Sequence, residues 1–271
     1  MSTAFLRKSL AAIDHRLRQI GIDARRAITE IGGRRYLRAD RREYEKQRRA
    51  SSSPADFPIS KNHFVFEDRK NEAGVATGHY FHQDLTVARE IFRRNPERHI
   101  DVGSSIYGFV SHVASFREID VLDVRPLEVQ IPGINFIRAD VMKVQDSLKE
   151  STDSISCLHA LEHFGLGRYG DSIDYEGWDK GLESITSMLK VGGIFYLGVP
   201  TGRIQRTEFN AHRIFSLSFL RAKLVDLYEI ENLSFVRDDG ALLTNIDPNG
   251  RDVENSFHAD YGCSIWTLRK R

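Results

Sequence analysis

The segment Arg98-His99-Ile100-Asp101-Val102-Gly103-Ser104-Ser105-Ile106-Tyr107-Gly108-Phe109 decides the fold class. Its first part predicts a short buried strand, its Gly and Ser residues predict a turn, and its end predicts the start of a helix. In such a strand–turn–helix unit the backbone can approach a ligand closely, and the first helical amides point at that ligand. The segment therefore favours a nucleotide-type binding site after the first strand.

Further strand-like runs follow, and helical patterns separate several of them. The runs cover residues 99–102, 119–124, 134–137, 154–158 and 194–199, and helices are predicted over 83–94, 106–115 and 178–189. These runs are apolar without strict alternation, which is typical of strands buried on both faces. Residues 228–236 and 263–268 lack a clear helix between them and predict an antiparallel pair. The pattern indicates an α/β protein with a doubly wound, mostly parallel sheet.

The charge distribution divides the chain. Lys and Arg number 39 against 38 Asp and Glu overall, but residues 1–50 hold 14 basic and 6 acidic side chains. We expect a basic helical extension over 1–50, with helices over 3–22 and 23–48, a linker over 51–74, and a larger domain over 75–271. The extension packs on the domain or on a second copy in a homo-oligomer, or it contacts anionic lipid or another polyanion. No base-reading module accompanies the charge, so nucleic acid is not an expected partner.

The cysteine content and the hydropathy pattern suggest a compartment. Cys157 and Cys263 are far apart in the sequence and lack a second pair, which argues against a disulfide framework and a cysteine-built zinc site. Cys157 lies in a strand-like run and is expected in the core. No apolar run approaches the ~20 residues that span a bilayer, and no signal peptide is evident. We expect a cytoplasmic protein, with peripheral contact at the inner face of the membrane as an alternative.

Two aspartates follow the second and third strand-like runs. Asp123 lies 20 residues after Gly103, the spacing at which a carboxylate meets the ribose hydroxyls of a bound nucleoside. Asp140 follows the third run. Each of them alone could cap a helix or end a turn. Together with the glycine turn they predict a nucleoside-type ligand at the carboxyl edge of the sheet.

These features, with residues 158–164 and 189–193, resemble the class I S-adenosylmethionine-dependent methyltransferases. The resemblance narrows to the family called domain of unknown function 268 in four motifs. They are Gly78-His79-Tyr80-Phe81-His82-Gln83-Asp84, residues 99–104, Glu162-His163-Phe164-Gly165-Leu166-Gly167-Arg168-Tyr169-Gly170-Asp171, and Phe209-Asn210-Ala211-His212-Arg213. The resemblance covers roughly residues 75–270. It implies a seven-stranded Rossmann-like methyltransferase fold and an association with surface polysaccharide biosynthesis.

The resemblance also implies S-adenosylmethionine as the cofactor and a role for each matching residue. Gly103 and Ser104 would approach its methionine part, and Asp101 would hold its ammonium directly or through water. Asp123 would accept the ribose hydroxyls and Asp140 the adenine amino group. The cofactor floor would be lined by His159 and Ala160. Ser104 and Ser105 replace part of the family's glycine motif, while Gly108 can serve as a displaced third glycine.

The candidates for catalysis follow the fourth and fifth strands. A base that removes a proton from a hydroxyl acceptor assists methyl transfer, and histidine titrates in the right range. His163 is the first choice, His212 the second, and Glu162 a further candidate. Alternatively, Glu162 and His163 only support the glycine-rich loop over 165–171, whose backbone we expect to adopt unusual angles.

Acceptor-binding side chains are expected in two segments. The candidates are Arg168, Tyr169 and Asp171 in the glycine-rich loop, and Tyr80 and His82 in a segment that lies over the cleft. An arginine there suits a carboxylate or phosphate. We expect no metal site, since no tight ligand spacing occurs. An ion held by Glu162, Asp171 and His212 is a weaker alternative.

The sequence therefore predicts methyl transfer from S-adenosylmethionine to a small-molecule or glycan acceptor, with oxygen as the expected acceptor atom. A protein that kept the fold and lost catalysis, acting as a binding or scaffold protein, is the alternative. An NAD-dependent oxidoreductase is a weaker third hypothesis, because it would require a fuller glycine motif.

Overall fold

The computed structural model describes residues 24–61, 65, 74, 76–143 and 146–271. The chain divides into two compact units, Met1–Val75 and Ala76–Arg271. The first unit contains helix α1, Ala24–Ala50, which confirms the helix predicted over 23–48. The helix predicted over 3–22 lies outside the described residues. No helix in the described part of the chain is long and apolar enough to cross a membrane.

A mostly parallel sheet forms the centre of the second unit. The strands in chain order are β1 (His99–Val102), β2 (Ile119–Asp123), β3 (Ile134–Arg138), β4 (Thr152–Leu158), β5 (Leu189–Thr201), β6 (Arg206–Glu208), β7 (His212–Ile214), β8 (Tyr228–Val236), β9 (Leu242–Leu243) and β10 (Gly262–Lys270). The main sheet has the order β3-β2-β1-β4-β5-β10-β8-β9, and β6 pairs with β7 separately. Strands β1 to β5 pair in parallel, whereas β10 runs antiparallel to both β5 and β8.

This topology confirms the α/β fold class and the antiparallel C-terminal pair. The main sheet as described has eight strands instead of the expected seven, because the two-residue strand β9 adds to β8. Two residues are too few for a periodic pattern, so the sequence alone could not indicate this strand.

Helices cover both faces of the sheet. In chain order they are α2 (His79–Arg94), α3 (Ser111–Ala114), α4 (Gly177–Met188), α5 (Leu217–Leu224) and α6 (Arg251–Glu254). The helix predicted over 106–115 is instead a π-helical turn, Ile106–Val110, followed by α3. Gly108 interrupts it with non-helical angles, and a Cβ there would lie 2.5 Å from Asp84 Oδ2. The close approach of α2 thus explains why this helix is irregular.

Two apolar clusters hold the layers together. On one face, Val87 and Ile91 of α2 pack with Phe109 and Val121. On the other face, Leu182 and Ile185 of α4 belong to a cluster with strand residues that include Cys157, which is fully buried as expected. Burial on both faces explains the continuous apolar runs of the strands. It also leaves the carboxyl edge of β1 to β5 as the place where polar side chains gather.

Candidate functional site

The turn after β1 opens the carboxyl edge of the sheet. Gly103 has φ +70°, and its amide donates to Leu122 O at 2.9 Å, which fixes the turn against β2. A Cβ at this position would lie 3.0 Å from Ala160 Cβ, tighter than ordinary packing. A residue without a side chain is therefore required for the backbone to pass this close to the loop after β4.

Asp101 lies beneath this turn and is fully buried. Its carboxylate accepts hydrogen bonds from the Ser104 amide at 3.0 Å, the Ser104 hydroxyl at 2.7 Å and the Ser156 hydroxyl at 2.6 Å. Burial raises the pKa of Asp101 to about 6, and these donors oppose the rise. The structure places Asp101 where it stabilises the turn, with no exposed oxygen for direct contact with a ligand.

A buried histidine extends this polar chain. His99 Nδ1 and Nε2 lie 2.8 Å from Ser154 Oγ and 3.1 Å from Ser156 Oγ. The Ser156 hydroxyl donates its hydrogen bond to Asp101, so its oxygen can only accept from His99, through Nε2–H. His99 Nδ1 is then an acceptor, and the Ser154 hydroxyl donates to it. Burial lowers the pKa of His99 to about 3, so the ring is neutral near pH 7.

A cleft lies above the turn and has two parts. The larger, about 340 Å³, includes Tyr80, Ser104 and Leu158 in its wall. The smaller, about 50 Å³, is lined by residues that include Asp140 and Ala160. Four residues line both parts: Gly103, Asp123, Arg125 and Tyr169. The predicted ribose ligand Asp123 therefore lies between the two parts of one cleft.

Asp123 already has a partner within the chain. Arg125 donates to it through Nη2 at 2.5 Å, Nε at 3.0 Å and its backbone amide at 2.8 Å. The Arg125 guanidinium also lies 4.5 Å from the centre of the Tyr169 ring. Arg125 was not predicted as a site residue, because a single exposed arginine after a strand carries no distinctive signal. A ligand that hydrogen-bonds Asp123 must compete with this side chain.

Asp140 follows β3 and lines the smaller part of the cleft. Its Oδ1 accepts from the Met142 amide at 3.0 Å, which is the ordinary turn that the sequence also allowed. We call Asp101, Asp123 and Asp140, with the Gly103 turn, the carboxylate side of the site. Each of these three carboxylates has a hydrogen-bond donor from the protein.

The loop after β4 has the unusual backbone that was expected. Gly165, Gly167 and Gly170 have φ of +77°, +71° and +82°. Asp171 organises the loop, because its Oδ2 accepts from the Gly165 amide at 2.9 Å and the Gly167 amide at 3.3 Å. Arg168 donates to Ala211 O at 2.9 Å. The contacts of Asp171 and Arg168 are thus mainly with the backbone, although Asp171 also lines the smaller part of the cleft.

A second arginine connects this loop to β7. Arg213 is buried, and its partners among the described residues are backbone carbonyls: its guanidinium donates to Phe164 O at 2.6 Å, Tyr175 O at 3.1 Å, and Glu162 O and Asp174 O at 3.4 Å. Arg213 belongs to the motif over residues 209–213, but no role was predicted for it from the sequence. Its function in the structure is to hold the loop after β4.

Opposite the carboxylate side lies a group of imidazoles, which we call the imidazole side: His79, His159, His163 and His212, with Glu162. The ring of His159 stacks on His79 at 5.3 Å and lies 4.8 Å from Tyr80. His159 Nδ1 donates to Glu162 Oε1 at 2.9 Å. Tyr261, which was also not predicted as a site residue, contacts His79 at 5.1 Å and His212 at 5.3 Å between ring centres. These rings contact one another in a polar wall, in which His159 and Tyr80 line the larger part of the cleft and His163 lines the smaller part.

The two candidate bases face each other in this wall. His163 Nδ1 donates to Ala211 O at 2.7 Å, so Nε2 is the free acceptor nitrogen, 3.6 Å from Glu162 Oε1. Burial lowers the pKa of His163, although Glu162 opposes this shift. His212 Nε2 lies 3.5 Å from Glu208 Oε2, and the two imidazoles are 6.4 Å apart. The structure therefore brings His163, His212 and Glu162 together.

Two further expectations have a clear structural outcome. His82 donates from Nε2 to Gly240 O at 3.1 Å and lines neither part of the cleft, so its contact holds the loop before β9. Among the described residues, Glu162, Asp171 and His212 do not form a group of potential metal ligands. Glu162 binds His159, while Asp171 binds loop amides.

Part of the sequence is similar to a family of known proteins. Residues 128–259 match the family described as "Caenorhabditis protein of unknown function, DUF268". The family resemblance is confirmed over those residues. They span just under half of the chain and include the fourth strand, the glycine-rich loop and the β6–β7 hairpin. No curated protein matches the sequence.

The solved structures to which the chain is similar include two methyltransferases. N-methyltransferase NodS from Bradyrhizobium japonicum WM9 in complex with S-adenosyl-L-homocysteine is 11% identical, with a TM-score of 0.47; the match covers 84% of this chain and 97% of that one. The 1,6-didemethyltoxoflavin-N1-methyltransferase of Burkholderia thailandensis, with bound 1,6-didemethyltoxoflavin and S-adenosylhomocysteine, is 13% identical, with a TM-score of 0.48. That match covers 69% of this chain and 78% of the other.

Proposed function

We propose that this chain transfers a methyl group from S-adenosylmethionine to a hydroxyl of a small polyhydroxylated acceptor. The observation that carries the proposal is the pairing of Gly103 and Asp123 on one cleft at the carboxyl edge of the sheet. Gly103 permits a close backbone approach, and Asp123 ends the neighbouring strand at the spacing suited to ribose. Bound S-adenosylmethionine supplies an electrophilic methyl group on a sulfonium.

The size of the cleft favours one nucleoside over a dinucleotide. Parts of about 340 and 50 Å³ lie at the lower end of the range for small-molecule sites, roughly 300–1,000 Å³. Asp123 lines both parts and suits the ribose, while the smaller part brings His163 next to Asp140 and Ala160. The Tyr80 ring in the larger part suits a sulfonium cation, which an aromatic face attracts. NAD, with its second nucleotide, would need more room.

His163 is the proposed base. Its Nδ1 is committed as a donor to a carbonyl, which leaves Nε2 able to accept a proton from an acceptor hydroxyl. Its lowered pKa keeps the ring neutral near pH 7, and the adjacent Glu162 stabilises the positive charge after proton transfer. His212 is the second candidate, because it belongs to the same wall.

The acceptor class follows from the exposed rings around the imidazole side. Tyr80, Tyr169 and Tyr261 are each more than a third exposed, and the imidazoles between them offer polar nitrogen atoms. Aromatic faces with nearby hydrogen-bonding groups suit a sugar, which combines an apolar ring face with hydroxyls. A sugar of a surface polysaccharide is the acceptor that the family resemblance implies.

The closed Asp123–Arg125 pair favours one second candidate, a protein that kept the fold without binding the cofactor. Calorimetric titration of the full chain with S-adenosylmethionine, S-adenosylhomocysteine and NAD separates the two. Micromolar binding of the first two without binding of NAD supports the proposal. No binding of any of them supports the second candidate, and binding of NAD alone would overturn both.

The Asp123→Ala variant tests the site itself. Two charge-assisted hydrogen bonds to ribose are worth about 1.5–3 kcal/mol each, so the affinity for S-adenosylhomocysteine should fall at least ~100-fold. Asp146→Asn is a matched control, because it removes a carboxylate that is 91% exposed. Equal affinities in wild type and Asp123→Ala would contradict the ribose assignment.

A further inference from the structure

Three potential metal ligands converge on the imidazole side. Among the described residues, one ligand atom each of His79, His159 and Cys263 all lie within 4.8 Å of one another. His79 begins α2, His159 follows β4, and Cys263 lies near the start of β10. Three separate elements therefore deliver two imidazoles and a thiol to one place.

The orientation of His159 points to a ligand at its second nitrogen. Its Nδ1–H donates to Glu162 Oε1 at 2.9 Å, so Nε2 is the nitrogen that would bind a metal ion once it has lost its proton. The residue is only 8% exposed, so water does not reach Nε2 freely, and Nε2 has no hydrogen-bond partner within the described part of the chain. A histidine that binds a metal ion through one nitrogen commonly donates its other N–H to a carboxylate in this way.

The charge balance points in the same direction. Glu162 is 1% exposed, and its Oε2 is buried with no partner among the residues described. Cys263 is fully buried and would carry a second negative charge as a thiolate. Buried charges are costly unless they are compensated. A divalent cation bound to Cys263 and His159 would compensate the negative charge that the thiolate and the carboxylate carry together.

We propose that His79, His159 and Cys263 bind one Zn²⁺ ion, and that Glu162 positions His159 for it. A thiolate with two imidazoles suits zinc, whereas Mg²⁺ and Ca²⁺ prefer oxygen ligands. A tetrahedral zinc ion would bring the ligand atoms to about 3.3–3.6 Å from each other, which closes the 4.8 Å spacing by at most about 1.5 Å and requires the stacked rings of His79 and His159 to turn out of their parallel arrangement. Three protein ligands leave the fourth position for water or for a substrate atom.

This proposal does not depend on the methyl donor. It departs from the expectation of no metal site, which rested on the absence of tight ligand spacing in the sequence. Because metal binding can be measured without S-adenosylmethionine, failure of either proposal leaves the other standing.

The experiment uses the untagged full chain after treatment with a chelator. Co²⁺ is titrated alone while the absorption is recorded, and Zn²⁺ is then added in competition. We expect one Co²⁺ per chain, a thiolate-to-cobalt charge-transfer band in the near ultraviolet, tetrahedral d–d bands in the visible region, and displacement by Zn²⁺. Absence of binding below millimolar Co²⁺, or binding without the charge-transfer band, would overturn the proposal.

Variants assign the ligands, each with a matched control. Cys263→Ala should abolish the charge-transfer band, while Cys157→Ala keeps it. His79→Gln should weaken Co²⁺ binding more than His82→Gln, which changes a histidine on the same helix that is bound to Gly240. Glu162→Gln should weaken binding ~10- to 100-fold and retain the band, as expected for a positioning residue. Retention of the band in Cys263→Ala would contradict the ligand set.

A second measurement uses wild-type protein alone and so avoids any folding defect of the variants. Iodoacetamide labelling of Cys263, which is buried and becomes reactive only when the protein opens locally, is followed by mass spectrometry with and without Zn²⁺ under conditions that give measurable labelling without the ion. We expect Zn²⁺ to slow labelling of Cys263 and to leave Cys157 unchanged. Equal labelling rates of Cys263 in both conditions would show a thiol that takes no part in metal binding and would overturn the proposal.

Discussion

The two sides of the cleft differ in how far their polar groups are satisfied. On the carboxylate side, Asp101, Asp123 and Asp140 all accept hydrogen bonds from the protein itself. On the imidazole side, His159 Nε2 and Glu162 Oε2 are buried without a partner among the residues described. Buried polar groups are normally paired, so unpaired ones need an explanation. The first side has its hydrogen bonds in place, whereas the second has buried polar atoms without a partner among the residues described.

The backbone shows the same contrast. The residue after β1 with positive φ is Gly103, whereas the corresponding residue after β4 is His159, with φ +51°. A left-handed backbone costs a residue with a side chain about 1–2 kcal/mol, a cost that glycine avoids. The presence of a histidine at such a position indicates that its ring is needed there.

The largest expected effect concerns the base on the imidazole side. Once an acceptor is identified, His163→Ala should lower kcat by about 10²- to 10⁴-fold, because a positioned base is lost. The rate of the wild type should be flat above pH 7 and fall in acid as His163 becomes protonated, since its pKa lies below the usual 6.5. His212→Ala is the comparison variant. A larger loss with His212→Ala than with His163→Ala would exchange their roles.

On the carboxylate side, Ser156→Ala should destabilise the protein by about 1–3 kcal/mol near pH 7.5. The Ser156 hydroxyl stabilises the ionised form of Asp101, whose folded pKa of about 6 lies above its ordinary 3.8. This raised pKa favours the fold at low pH, and that contribution is lost as pH rises through about 6. The loss caused by Ser156→Ala should therefore be smaller at pH 5. Urea unfolding at both pH values measures it.

Ser154→Ala is the control for that prediction. It removes a hydroxyl that contacts His99 and leaves the Asp101 contact intact. His99 has a folded pKa of about 3, so it contributes stability that is present above about pH 6.5 and lost as pH falls toward 3. An equal pH dependence in the two variants would contradict the assignment to Asp101.

A smaller effect is expected at the Asp123–Arg125 ion pair, which lines both parts of the cleft. Arg125→Ala should raise the affinity for S-adenosylhomocysteine about 2- to 10-fold, because Asp123 no longer has to give up this partner. Calorimetry of the variant measures the change, with Arg237→Ala as a control at an arginine that lines neither part of the cleft. A lower affinity would show that Arg125 contacts the ligand and that the carboxylate side is not closed by it.

The smallest effect concerns the basic extension. Both sides of the cleft consist of residues within Ala76–Arg271, so deletion of residues 1–50 should change cofactor affinity less than about 2-fold. Calorimetry gives the affinity, and sedimentation with anionic vesicles tests the membrane contact expected of this extension. A large loss of affinity would show that the extension contributes to the site.

The sequence predicted the sheet well because each strand leaves a local signature. The bounds of β1 and β8 agree with the predicted runs, since a few consecutive apolar residues are enough to indicate a buried strand. The irregular turn at Gly108 was not predicted. The side chain that leaves no room for a Cβ at Gly108 is Asp84, which belongs to α2 and is distant in the sequence. Local patterns carry no information about such an approach.

The site was harder to predict for the same reason. The positions of Gly103 and Asp123 on the cleft follow from strand order alone. The partner of Asp123, the burial of Asp101 and the convergence of Cys263 with His79 depend on side chains brought together by folding. Residue type and spacing indicated Asp101 and Asp123 as site residues and gave no signal for Arg125, His79 or Cys263, and only tertiary packing shows what each of them contacts.

Arg213 has a consequence for any attempt to redesign specificity. Its side chain ties β7 to the loop after β4 through carbonyl oxygens, so the link depends on the path of the main chain and not on which side chains the loop carries. Side chains in the loop can therefore be exchanged while the link persists. Transfer of the loop into a related protein, in contrast, requires that the β6–β7 hairpin, which carries Arg213, be transferred together with it.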